Sequence, residues 1–118
     1  MVDNLNVFEV GQRLSQALDE GVGAFDTLAK SLGYTPFQGH DFVRVYRAFS
    51  QIANQINIDL QTLSQQAIGI NLPKLALIAP VIEKAPHTCK DWLDLAQDLP
   101  LQDLLGPVRQ ALQELQHD

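Results

Sequence analysis

The sequence carries one cysteine, Cys89, so no disulfide can close within the chain, and a small disulfide-stapled scaffold is excluded. A lone thiol fits a reducing compartment, and a cytoplasmic location is expected. Aromatic residues are scarce at 7%, so any core has to be built from Leu, Ile, Val and Ala. Long hydrophobic runs are absent. The most apolar stretch, Leu75 to Ile82, is interrupted by Pro80 and falls far short of the roughly 20 residues that span a bilayer. Met1 to Val10 contains Asp3 and Glu9 and lacks a basic leader, so neither a signal peptide nor a membrane partner is expected.

Positive charge is also in short supply. Eight Lys and Arg face fourteen Asp and Glu, for a net charge of −6 and a pI near 4.8. Bulk charge of that sign does not gather a protein onto nucleic acid; such binding needs a local basic face. Alternation of apolar and polar residues never lasts long enough for a strand. Catalytic and metal-binding signatures are missing as well. There is no C-x₂-C, no paired histidine spacing, no G-x-S-x-G, and Gly21-Val22-Gly23 has no following G-K-[ST]. His87 and Cys89 lie two apart, while His40 and His117 are distant, so no zinc set is assembled in sequence. Cys89 near a helix start invites a lowered pKa, but no general base accompanies it. No enzyme, cofactor or metal is expected.

What is present is helical periodicity over nearly the whole chain, in a composition that is 46% hydrophobic. A first helix is expected from about Asn4 to Glu20, with Val7, Phe8, Gly11, Leu14, Leu18 and Val22 on one face. Asn6 with Glu9 would cap it, and Gly21 and Gly23 would stop it. A short second helix, about Ala24 to Leu32, carries Phe25, Leu28, Ala29 and Leu32 at helical spacing and ends at Gly33. The third has the clearest start. Thr35 and Gln38 form a T-x-x-Q capping box around Pro36, and an apolar stripe runs from Phe42 through Ile52 towards Gln55. Asp59 is expected to cap a fourth helix, Leu60 to Ala67. Pro73 opens a fifth that Pro80 must kink or split. Thr88 caps a sixth containing Trp92, Leu93, Leu95 and Ala96, and Pro100 opens a seventh, kinked at Gly106-Pro107. Helices this short depend on packing against one another. The expected fold is all-α: a compact single-domain bundle of about six to seven short helices over residues 1–118, with no β-sheet.

Charge is distributed unevenly along this pattern. Residues 1–26 set Arg13 against Asp3, Glu9, Asp19, Glu20 and Asp26, whereas residues 27–58 set Lys30, Arg44 and Arg47 against Asp41 alone. The one positive stretch therefore holds the third helix. On it His40, Arg44, Arg47 and Gln51 recur at i, i+4, i+7 and i+11, a polar stripe opposite the apolar one. These side-chain types contact phosphates and base edges.

The segment from Phe25 to Thr35 supplies an amphipathic helix with small Ala29 on its inner side, then Leu32-Gly33-Tyr34, then the capped third helix. Residues 25–50 resemble the helix-turn-helix of phage- and plasmid-type regulators. One departure is plain: the buried apolar residue that usually follows about five positions after the turn aromatic is replaced here by Gly39 and His40. The later half, Leu72 to Leu112, loosely resembles helical segments of partition-type regulators, in which a Pro- or Ser-led helix precedes a Trp-bearing one. The first resemblance implies a DNA partner, with Lys30, His40, Arg44, Arg47 and Gln51 as contacts, and a homodimer that doubles the basic face. It requires guanidinia that are not tied up by Asp41 or Asp26. In the plainer reading, Leu-Gly-aromatic merely joins two packed helices.

Asp91, Asp94 and Asp98 share one face of the sixth helix at i, i+3 and i+7. Lacking partners from another segment, they read as a solvated face or as a docking surface for a basic protein. The alternative function is accordingly a protein–protein interaction module (adaptor, inhibitor or homodimer subunit) using these acidic faces and the apolar final helix.

Overall fold

The structure is a computed structural model that describes residues 7–116, with side chains to Leu115. Among the described residues it is all-α, with seven α-helices, one 3₁₀ turn and no strand. The helices are α1 (Val7–Glu20), α2 (Val22–Ser31), α3 (Pro36–Gln55), α4 (Leu60–Gln66), α5 (Leu72–Lys84), α6 (Cys89–Asp98) and α7 (Leu101–Gln116). The 3₁₀ turn, Pro86–Thr88, leads into α6. Contacts divide the chain within α3 into two compact units, Met1–Arg47 and Ala48–Asp118.

In the first unit α1 and α2 pack on each other across a single connecting residue, Gly21. Its φ of 143° and ψ of 160° lie in a region that is essentially glycine's alone. The break comes there, and Gly23, expected to share it, sits inside α2. Val22, placed by sequence on the inner face of the first helix, instead opens α2 and is 68% exposed. The Asn6 cap falls outside the described residues. Phe8, Val10, Leu14 and Ala17 of α1 are buried, as are Phe25 and Ala29 of α2 and Phe42, Val43 and Val45 of α3. Burying such a side chain is worth about 1.5–3 kcal/mol for the larger members.

Two glycines set the close approaches to α3. A Cβ on Gly11 would lie 2.5 Å from both the Phe42 carbonyl oxygen and Tyr46 Cβ, so backbone meets backbone there. On Gly39, a Cβ would come within 2.9 Å of Phe25 Cζ and 3.4 Å of Ala29 Cβ. The position where a buried apolar side chain was missing is thus filled from the other helix: Phe25 supplies the volume and Gly39 makes room for it.

In the second unit α5, α6 and α7 pack on one another. Leu75, Ile78, Ala79, Val81 and Ile82 of α5 are buried, together with Leu93 and Ala96 of α6 and Leu104 and Val108 of α7. Trp92 and Leu95, expected inside, are half-buried. Asn71 caps α5, its side-chain oxygen accepting from the Lys74 N–H at 3.1 Å. Pro80 does not split α5, which runs on to Lys84, and Pro107 is likewise inside α7. The expected caps Asp59 and Thr88 hold the N-cap positions of α4 and α6 but make no side-chain cap bond. Thr88 Oγ1 instead donates back to the Ala85 carbonyl at 2.7 Å, within the 3₁₀ turn that the sequence reading missed. Lys74 Nζ donates to the Ala96 carbonyl at 2.9 Å, tying α5 to the end of α6.

Candidate nucleic-acid interface

The segment from α2 to α3 is built by local chemistry. The Leu32 N–H still bonds the Leu28 carbonyl, and Gly33, at φ 90°, then turns the chain. The Tyr34 N–H reaches back to the Ala29 carbonyl at 2.9 Å, and the Tyr34 ring lies 4.7 Å from that of Phe42. The capping box closes in both directions: Thr35 Oγ1 accepts from the Gln38 N–H at 3.1 Å, and Gln38 Oε1 accepts from the Thr35 N–H at 3.0 Å. Two donors otherwise orphaned at the start of α3 are thereby satisfied.

With Gly39 seated on Phe25 and Ala29, the other side of α3 is left to solvent. His40, Arg44 and Arg47 are exposed there, as is Lys30 on α2. The His40 ring is steadied against Phe25, centroids 4.5 Å apart. Gln51 is also exposed but belongs to the second unit.

Neither guanidinium is unaccompanied. Arg44 pairs with Asp41 at 3.0 Å, one turn back on its own helix, so the requirement that Asp41 leave this guanidinium free is not met. Arg47 is held by α1: its Nε–H donates to Ser15 Oγ at 3.1 Å, and its terminal nitrogen lies 3.5 Å from Asp19 Oδ1. Asp26, the other carboxylate anticipated, is not the one that binds it. Ser15 and Asp19 are four apart on α1 and so present to the same side chain. Both ion pairs face water, with side-chain exposures of 70% and 39% for Arg44 and Asp41, and 52% and 78% for Arg47 and Asp19. Pairs of that kind contribute about 0–1 kcal/mol, so each carboxylate neutralises its arginine without locking it.

Sequence reasoning missed Phe37, which follows Pro36 on the first turn of α3 and is 81% exposed. Counting it outside the apolar stripe was the available signal. Asp91, Asp94 and Asp98 are all exposed on α6, opposite buried Leu93 and Ala96. Cys89 is buried, and burial pushes its thiol up from 9.0 to about 11, the reverse of the lowered value its helix-start position invited. Among the described residues no three His, Cys, Asp or Glu come together as a metal site, and no helix is long and apolar enough to cross a membrane. No family model, curated protein or solved structure matches the chain.

Proposed function

We propose that this chain is a non-enzymatic regulatory protein that engages nucleic acid through α2, the Gly33 turn and α3. One observation carries the reading. His40 and Arg44 are exposed on α3, and Arg47, although bonded to Ser15 and Asp19 of α1, keeps its side chain 52% exposed beside them. Lys30 adds a cation on α2. The carboxylates of Asp41 and Asp19 set the terms of binding. A phosphate has to compete with each for its arginine, so affinity is low, highly salt-sensitive and helped by a second copy of the chain. The test is fluorescence anisotropy with a labelled duplex at low ionic strength. Binding that weakens steeply with salt, and that is abolished by joint Arg44→Ala and Arg47→Ala substitution, supports the proposal. Absence of any anisotropy change with the wild type and with a joint Asp19→Asn, Asp41→Asn variant sinks it.

A second reading, a protein-interaction module, draws on different residues. Phe37 is 81% exposed, and Leu101 and Leu105 are 38% and 45% exposed beside buried Leu104 on α7. Apolar groups left in water at helical spacing fit a partner's surface, a second copy being the simplest. Light scattering after gel filtration distinguishes a monomer from a dimer, and Phe37→Ser with Leu105→Ser identifies which patch is used.

A further inference from the structure

The second unit contains a cleft of ≈ 630 Å³ at the end of α3, facing the 3₁₀ turn and the start of α6. Its shape follows from how α3 ends. Asn57 adopts a φ of 62°, its N–H bonding the Asn54 carbonyl, and the Ile58 N–H bonds back to Ala53. This left-handed closure is a common helix ending. Here Ile56 and Ile58 flank it and both line the cleft, half-buried, with Pro86 and the Cys89 thiol completing the apolar surface.

The polar lining is neutral or basic. Two glutamine amides contribute, and the charged or ionisable nitrogen groups are His87 and Lys90, both exposed. Among the described residues no carboxylate lines the space. That is notable because residues 48–118 hold eight acidic side chains, Asp59, Glu83, Asp91, Asp94, Asp98, Asp103, Glu114 and Asp118, against the four cations Lys74, Lys84, Lys90 and Arg109. An apolar cleft of this size suits a small molecule. A bare inorganic anion would leave the isoleucines wet, while a neutral hydrocarbon would make no use of Lys90 and His87.

We propose that this cleft binds a small amphipathic monocarboxylate, its apolar body against Ile56, Ile58 and Pro86 and its carboxylate at Lys90 and His87. The lining shares no residue with Lys30, His40, Arg44, Arg47 and Gln51, and the proposal stands whether or not those residues meet nucleic acid.

The experiment is NMR titration of the full chain with sodium octanoate, 1-octanol and sodium phosphate. Octanoate is expected to give saturable shifts at the Ile56 and Ile58 methyls and at the amides of His87 to Lys90. Octanol should bind about fivefold more weakly, as should octanoate to Lys90→Gln, the scale of one exposed charge pair. Lys84→Gln, an exposed lysine outside the lining, should bind octanoate as the wild type does, and phosphate alone should leave the isoleucine methyls unmoved. Lys90 is exposed, so its replacement should leave the fold intact, which the spectrum itself reports. Octanoate shifts that fail to saturate or lie elsewhere overturn the proposal. Equal affinity for octanol and octanoate, or isoleucine shifts with phosphate alone, overturns the assignment of ligand class.

Discussion

Arg47 and Ser15 stand 32 positions apart in sequence, yet the Arg47 Nε–H donates to the Ser15 hydroxyl at 3.1 Å, and Ser15 is itself buried. This gives the two arginines of α3 different jobs. Arg47 stitches α3 to α1, whereas among the described residues Arg44 meets only its own helix, through Asp41. Arg47→Ala should therefore cost about 1 kcal/mol in urea unfolding, the worth of a side-chain hydrogen bond with an attached ion pair, while Arg44→Ala should cost under about 0.5 kcal/mol. Equal losses would mean that the Ser15 bond contributes nothing in solution.

Unmasking the arginines should act in the opposite direction on binding. Asp41→Asn and Asp19→Asn each remove a charge that competes with phosphate. Together they should tighten duplex binding by about tenfold at low salt and steepen its dependence on salt concentration. An unchanged affinity in anisotropy titrations would show that these arginines do not meet the nucleic acid.

Glycine positions should divide sharply. Gly11→Ala drives a methyl into the Phe42 carbonyl and should destabilise by about 2–3 kcal/mol, since backbone cannot step aside cheaply. Gly23→Ala, in open space within α2, should instead stabilise by about 0.5 kcal/mol. Thermal unfolding followed by circular dichroism measures both, and a Gly11→Ala protein as stable as the wild type would contradict the close approach of α1 to α3.

Helix starts offer a parallel contrast. Thr35→Ala and Asn71→Ala each delete a formed cap bond and should cost about 1 kcal/mol, whereas Asp59→Ala, with no such bond, should cost much less. Denaturant midpoints for the three variants test the ranking.

Cys89 predicts a loss of stability at alkaline pH. Its folded pKa, about 11, stands above the unfolded value of 9.0. Between those values the unfolded chain has already released the proton that the folded chain retains, so unfolding becomes easier as pH rises from 9 towards 11. Below pH 9 both states are protonated and the effect vanishes. Stability measured across this range should fall more steeply for the wild type than for Cys89→Ala; parallel curves would show that the thiol does not titrate in this way. The same burial should make alkylation of Cys89 slow at pH 8 unless the protein is denatured.

The features legible in the sequence were those whose causes lie within a few residues. The capping box of Thr35 and Gln38, the Gly33 turn and the limits of α3 are local, and they were readable in the pattern. Asn71 was legible by the same logic, but the proline two residues later drew the boundary instead. Thr88 went the other way, because its hydroxyl found the Ala85 carbonyl before it could serve α6. Gly39 looked like a flaw in a helix-turn-helix and became intelligible only with Phe25 lying against it, a pairing between helices that periodicity does not encode. The candidate site was half visible. Its basic residues could be counted, and so could Asp41, but Ser15 and Asp19 reach Arg47 only through folding. The cleft of the second unit gave no sequence signal, since its walls come from the ends of three separate segments.

Gly21 has a consequence for how freely this chain can vary. Alone between two helices, at a φ of 143° that no side-chain-bearing residue adopts comfortably, it is the sole hinge pin of the corner joining α1 and α2. A Cβ added there would meet nothing within 4 Å, so the first penalty of a side chain is written in the backbone. A saturation scan should find every alternative there harmful, with Pro worst because it also removes the N–H that bonds the Ala17 and Leu18 carbonyls, and with the ranking set by backbone preference rather than by size.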